Sequence, residues 1–338
     1  MDQNTITDFI VLFLGIVWEA LPFIIVGAVI AGILEELLPQ EALGKLLPKH
    51  FVPAVMIGGA LGLVFPMCEC GIVVVMRRLL RKGLPLSCCV AYMLAGPILN
   101  VIVLGSTAVA FFPHQLADES SLGPPMIILR AGLGYLVACV TGFVVHALAT
   151  RTKPTDLLTP KALPPKPTKT LEVAQDTGVV QPKRTVGERL NNITATALND
   201  FIDITVFLII GSVIAALVKS DVNLVMRVEA MSKDQPLLAI PLMMGLAFVL
   251  CLCSEADAFL AASFTKMSVS AKVAFLVFGP MLDIKLLLMY TRVFRPKLIA
   301  VIVSCVALQV LVYTSVLHQF YNPAPLGGGN KGEAATVA

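Results

Sequence analysis

Long apolar runs separated by short polar connectors dominate the chain. Runs near 9–34, 52–76, 84–112, 126–148, 195–218, 237–262, 269–289 and 298–316 each reach the ~20 residues that a bilayer core requires. In hydrocarbon every backbone N–H and C=O must find a partner within the protein, and segments of this length do so only as helices. Barrel strands would be about half as long and would alternate. The pattern therefore predicts an all-α integral membrane protein with about eight transmembrane helices.

The polar interruptions set the organisation. Residues 151–186 break the pattern with six prolines among Lys, Thr and Gln, a composition that cannot bury enough apolar surface to fold. The reading is a membrane repeat over 1–150, a disordered cytoplasmic linker over 151–190, a second membrane repeat over 191–320 and a disordered tail over 321–338. The two membrane regions are self-similar. At a constant offset of 183, Gly62 falls on Gly245, Phe65 on Phe248, Cys68 on Cys251, Cys70 on Cys253, Gly96 on Gly279, Pro97 on Pro280 and Asn100 on Asp283. Nearer each start the offset is 184, which places Glu19 on Asp203. Two homologous four-helix repeats, each with an even number of spans, should run parallel, whereas an odd number would invert them.

Composition agrees with lipid as the solvent: 57% of residues are hydrophobic, 14% are charged and the mean hydropathy is +0.87. The first run follows Asp2 and Asp8 and is too long for a leader core, so it is read as a span. Net charge is only +3, and the basic residues gather in Arg77, Arg78, Arg81 and Lys82 and in the linker. By the positive-inside rule both places are cytoplasmic, and eight crossings would put both termini there too, in a bacterial inner membrane. Arg292, Arg295 and Lys297 disagree, because eight spans put their loop outside. A re-entrant hairpin at either Cys-containing segment would flip the crossings that follow it.

The candidate chemistry sits inside the apolar runs. Cys68-Glu69-Cys70 and Cys251-Leu252-Cys253-Ser254-Glu255-Ala256-Asp257 place thiols beside carboxylates at matched positions. On a continuous helix residues two apart point to different faces, so the pairs are expected in extended backbone, with Pro66 and Gly71 breaking the first helix. A buried Cys is ordinarily a small hydrophobe, which accounts for Cys139 and Cys305 but not for a duplicated pair. All eight cysteines lie in or beside spans, which argues against a secreted disulfide framework.

Carboxylates near the bilayer centre cost at least ~2.5 kcal/mol each. Glu69, Glu255 and Asp257, with Glu19 and Asp203, are therefore the candidates for proton coupling, against the bland alternative of a structural tie such as Asp283 with Lys285. Gly96-Pro97 and Gly279-Pro280 each remove a helical donor and are followed by Asn100 and Asp283. Such breaks are expected of discontinuous helices lining a transport site, so Asn100 and Asp283 join Cys68, Cys70, Cys251 and Cys253 as candidate substrate ligands. Gly58 and Gly62 form a small-x-x-x-small face suited to helix packing.

These residues resemble a known family, the predicted bacterial permeases that include the ArsP-type organoarsenical efflux permeases. The likeness rests on Phe65-Pro66-Met67-Cys68-Glu69-Cys70-Gly71, on Leu94-Ala95-Gly96-Pro97-Ile98-Leu99-Asn100 and on their second-half counterparts. It implies an eight-span inner-membrane permease, and export of trivalent methylated or aromatic arsenicals in the characterised members. Soft thiolates favour such a centre over hard cations, so the four cysteines would act as metalloid ligands. No G-x-x-x-x-G-K-[ST] loop occurs, which favours a proton-driven secondary transporter over an ATP-driven pump or an enzyme. No cofactor and no nucleic acid are expected, the partners being lipid and a small thiophilic substrate, with room for a homo-oligomer. The rival readings are a membrane thiol-disulfide oxidoreductase and a channel or scaffold subunit.

Overall fold

A computed structural model describes residues 3–37, 50–64, 67–112, 123–160, 162, 186–219, 236–264 and 267–320. The expected tail at 321–338 lies outside the described residues. The described chain is helical, its one bridge pairing Leu158 with Phe294. In the first half the elements are α1 (Gln3–Leu37), α2 (Phe51–Val64), α3 (Glu69–Arg81), α4 (Leu86–Ala95), α5 (Val101–Phe111) and α6 (Gly123–Arg151). A single turn, α7 (Pro154–Leu157), follows. The second half holds α8 (Val186–Lys219), α9 (Pro236–Leu250), α10 (Ala256–Ser263), α11 (Val269–Phe278), α12 (Ile284–Tyr290) and α13 (Pro296–Phe320). Two of these helices, α6 and α13, are by themselves long and apolar enough to cross a membrane.

Close contacts give the direction of each helix. Gly58 lies against Cys88 and Gly62 against Gly96, so α2 and α4 run the same way. The Ile72 side chain reaches Gly96, which sets the start of α3 beside the end of α4. Thus α2 advances, the chain reverses at Met67–Cys68, and α3 returns. Together they form a hairpin whose tip carries Cys68, Glu69 and Cys70. In α6, Gly134 faces Ile98 while Gly142 faces Val55, Ser87 and Ala91, so α6 runs against α4. Ring stacking of Phe51 on His146, with centroids 4.3 Å apart, places the open end of the hairpin at the end of the bundle where α6 finishes.

The second half repeats this order with the direction reversed. Lys272, at the start of α11, sits 5.8 Å above the Phe111 ring at the end of α5. The far end of α12 lies where α6 finishes: Thr159 N–H donates to the Val293 carbonyl at 3.0 Å, and Arg295 N–H to that of Leu157 at 2.9 Å. The interrupted helix α4–α5 and its counterpart α11–α12 therefore cross the bundle in opposite senses. Helix α13 begins beside the end of α6 and ends where His318 Nδ1 meets Ser270 Oγ at 3.0 Å. Ala247 lies against Gly279, and the Cys251 sulfur faces the backbone N–H groups of Ile284 and Lys285, so α9 runs alongside α11 towards the tip. Helix α10 packs back on α11, closing a second hairpin that opens at the opposite end.

Three expectations are corrected. In place of eight helices in parallel four-helix repeats, α2–α6 and α9–α13 are related by inversion, because each C-x-C segment is a hairpin tip that reverses the chain. Next, the region expected to be a disordered linker is docked at its start: Leu157, Leu158 and Ala162 are buried, Thr159 Oγ1 donates to the Arg292 carbonyl at 2.7 Å, and α7 packs on α13. This contact puts Arg292, Arg295 and Lys297 at the same end as Arg151, which removes the disagreement in the charge pattern. Finally, the C-terminal end of α13 lies at the end of the bundle opposite the linker start, so the two cannot share the cytoplasm if α13 spans.

Small residues allow the close approach. A Cβ on Gly62 would come within 2.6 Å of the Gly96 Cα, a backbone atom that cannot swing aside, whereas one on Gly105 would meet nothing within 4 Å. Gly62→Leu is accordingly expected to destabilise the protein by roughly 1–3 kcal/mol. In detergent its thermal midpoint should fall clearly, while that of Gly105→Ala should not.

Candidate functional site

The two tips meet inside the bundle. Cys68 holds extended backbone at φ −70° and ψ 168°, and the first turn of α3 already includes Glu69 and Cys70. The expectation of a wholly extended C-x-C is therefore corrected: the thiols of Cys68 and Cys70 lie within hydrogen-bond reach of each other because the chain turns between them into a helix. In the second half the break is the longer of the two. Cys251–Cys253 and the turn at Ser254–Glu255 separate α9 from α10, and Cys251 adopts a left-handed φ of 47°, which is uncommon for a residue with a side chain. Cys253 Sγ accepts the Ala256 N–H at 3.4 Å and so caps the start of α10.

Charged groups from both halves converge here. Lys285 Nζ donates to Glu69 Oε1 at 3.1 Å and lies 3.8 Å from Asp283 Oδ2. Ser254 Oγ donates to the other Glu69 oxygen at 3.4 Å. Arg130, on α6 and 0% exposed, donates through Nη2 to both Asp257 oxygens at 2.9 Å and to the Ser254 carbonyl at 2.8 Å. Its Nη1 donates to Thr107 Oγ1 on α5 at 2.7 Å. Ser254 thereby joins the two ion pairs into one chain, Arg130–Asp257 on one side and Glu69–Lys285–Asp283 on the other. Cys70 and Cys251 both lie within electrostatic range of Lys285, so a thiol from each half borders the same ammonium.

The helix breaks aim these groups. At Gly96–Asn100 the chain leaves the helix and restarts with the Asn100 side chain accepting the Ile102 N–H at 3.0 Å. At Gly279–Asp283 it does the same, Asp283 Oδ1 accepting the Leu286 N–H. Both residues act as N-caps, supplying one of the acceptors that a helix start lacks, and Asp283 brings a carboxylate to the tips as it does so.

Of the candidate residues, Glu69, Asp257, Asp283, Cys68, Cys70 and Cys251 lie in one region. Glu255 neighbours Asp257 and is only half-buried. The side chains of Glu19 and Asp203 lie outside the described residues. No three His, Cys, Asp or Glu groups among the described residues converge as a metal site, and none of the eight cysteines is disulfide-bonded. The alternative of a structural tie between Lys285 and Asp283 is present as a 3.8 Å ion pair, and the hydrogen bond of Lys285 goes across to Glu69. Arg130, Ser254 and Thr107 were missed. An arginine four residues inside an apolar run was the available signal, since such residues seldom face lipid.

Inverted halves, interrupted helices and irregular backbone meeting around buried charge are the build of a membrane permease rather than of an enzyme with an open catalytic cleft. The family model ArsP_1, described as a predicted permease, matches residues 5–320, and the chain belongs to that family. It is 36% identical over 309 residues to UPF0718 protein YcgR of Bacillus subtilis (strain 168), covering 89% of this chain and 93% of that one. It is 32% identical over 321 residues to a protein of Streptococcus mutans serotype c (strain ATCC 700610 / UA159) named as a two-component membrane permease complex subunit, covering 93% and 96%. No solved structure matches.

Removing one member of a buried ion pair leaves the other charged and unsolvated. Arg130→Met should lower stability by about 3–5 kcal/mol, and adding Asp257→Asn should recover part of the loss. Thermal unfolding of the single and double variants in the same detergent checks both.

Proposed function

We propose that this permease is a secondary transporter that exports a thiophilic metalloid or organometalloid, such as a trivalent organoarsenical, through the region where the two hairpin tips meet. The observation that carries the reading is the convergence itself. The halves meet here through side chains, Ser254 on the second tip and Lys285 on α12 both donating to Glu69 on the first tip, and such contacts can part without unfolding either hairpin. A site held between two such elements opens to one end or the other, as alternating access requires. The neighbouring thiols of Cys68 and Cys70, with Cys251 across the gap, supply soft donors that suit a trivalent arsenic centre, and Cys253 flanks them on the second tip. A trivalent centre bearing one organic substituent has two positions left, which two of these thiols would fill.

Each S–As bond that forms displaces an arsenic-bound hydroxyl, which takes up the thiol proton and leaves as water, so the neighbouring carboxylates serve to pass that proton from sulfur to the departing oxygen. The membrane is the bacterial inner membrane, with the basic end formed by Arg77, Arg78, Arg81, Lys82 and Arg151 in the cytoplasm. Burial of the thiols speaks against the oxidoreductase reading, because exchange needs access by a partner thiol.

Cells lacking other arsenical exporters, and expressing either the wild type or the variant with Cys68, Cys70, Cys251 and Cys253 all changed to Ser, provide the test. The wild type should lower retained phenylarsenous acid by an order of magnitude relative to the variant at equal membrane abundance. Equal retention would return the cysteines to a packing role.

A further inference from the structure

At the tips, Arg130 and Lys285 face Glu69, Asp257 and Asp283, and all five are buried. Among these five, two cations against three carboxylates leave one negative charge in excess, and Glu255, half-buried beside Asp257, adds to the negative side. Asp257 has a cation of its own, since Arg130 grips both its oxygens. Glu69 has Lys285 on one oxygen and the Ser254 hydroxyl on the other. Asp283 is the member left short. Its Oδ1 is committed to the helix cap, while Oδ2 is buried with no hydrogen-bond partner. A buried carboxylate oxygen without a donor costs several kcal/mol unless something neutralises it.

Comparison of the halves shows that capping alone does not call for a carboxylate. Asn100 caps α5 at the matching position with a neutral amide. Asp283 spends one oxygen on the same task and carries a second that the cap does not use. We propose that Asp283 Oδ2 is the seat of the coupling proton of this permease, one per transport cycle. In this assignment Asp283 moves from substrate ligand to proton carrier, and Asp257 becomes a positioning residue held by Arg130. The inference rests on the reading of the tips as a transport site, but the proton site itself can be tested without transport.

The step is a simple protonation. An O–H bond forms on Oδ2 when the tips are open to one end, the excess charge is cancelled, and the same bond breaks when they open to the other end. Lys285 remains charged throughout, and its 3.8 Å separation from Oδ2 lets it turn from Glu69 to Asp283 once the proton leaves. The groups that face the Asp283 carboxylate are Glu69 from α3, the Cys251 thiol from the second tip, and Lys285 and Tyr290 from α12. The Tyr290 hydroxyl is occupied, donating to the Met281 carbonyl at 2.9 Å. Helix α8 meets α12 at Gly211, and the side chain of Asp203 on that helix lies outside the described residues.

Asp283→Asn keeps the cap oxygen, as Asn100 does, and removes the titrating one. Infrared difference spectra of the full chain in lipid nanodiscs, recorded across a pH titration, should show a carboxylic-acid carbonyl band in the wild type that is absent from Asp283→Asn. In vesicles loaded with phenylarsenous acid, a pH gradient should stimulate flux several-fold in the wild type and not at all in the variant, while gradient-free exchange continues. A titrating band retained in Asp283→Asn, or flux still driven by the gradient, would overturn the proposal. Asp283→Ala, which loses the cap as well, serves as the folding control: a lower melting point in it alone separates the cap from the charge. Absence of any wild-type flux of this arsenical would count against the substrate reading, and the infrared band would then decide the proton site by itself.

Discussion

Charge buried beside interrupted backbone is the constraint around which this bundle is arranged. Where the chain reverses at Met67–Cys68 and at Cys251–Glu255 it leaves helical hydrogen bonding in a region the sequence gives over to apolar residues, and lipid offers no substitute donors or acceptors. Arg130 meets part of that need directly, taking the Ser254 carbonyl as well as the Asp257 carboxylate. Ser254 then passes the connection to Glu69, and Glu69 to Lys285. Arg130–Asp257 and Glu69–Lys285 each join a residue of one half to a residue of the other, while Lys285–Asp283 lies within the second half, so the network is complete only when the two halves are together. Such pairs add little net stability against an apolar core, but removing one partner is costly. They therefore specify which surfaces meet more than they raise the stability of the fold.

The inverted relation follows from the same reversals. A hairpin that enters and leaves at one end contributes no crossing, so one of the four spans expected in each half drops out, and the odd number that remains inverts the halves. The docking of Leu157–Thr159 on Arg292–Arg295 fixes the result in side-chain and backbone contacts. Glycines permit the close helix spacing this requires, with Gly62 against Gly96 and Gly27 against Gly71. A hydroxyl or a carbonyl at a tip can then reach across to the other half without a long side chain.

Much of this was legible beforehand. The 183-residue offset aligned the two Gly-Pro breaks, and α4 and α11 start and end at that same spacing. Carboxylates inside apolar runs marked the site, because their cost in lipid is specific to their chemistry. The relative direction of the halves was not legible, since a hairpin and a span have the same hydrophobicity and nearly the same length. The charge pattern carried the clue: Arg292, Arg295 and Lys297 sat on the wrong side of an eight-span layout and fall on the right side once each tip is a reversal. Arg130 was hidden by its surroundings, and its importance depends on Asp257, 127 residues away. The distinction between Asp283 and Asn100 lay in the sequence as an imperfection of the repeat. Its meaning needed the geometry, which shows that both cap a helix and only one has an oxygen to spare.

The central claim is that the two hairpins enter from opposite ends, and side-specific labelling tests it most directly. Single cysteines introduced at Lys82, Thr291, Ser263 and Gln319 can be challenged with a membrane-impermeant maleimide in right-side-out and inverted vesicles, the native cysteines serving as the unlabelled background. The account predicts that Lys82 and Thr291 label from one face and Ser263 and Gln319 from the other. Labelling of Lys82 and Ser263 from the same face would contradict it.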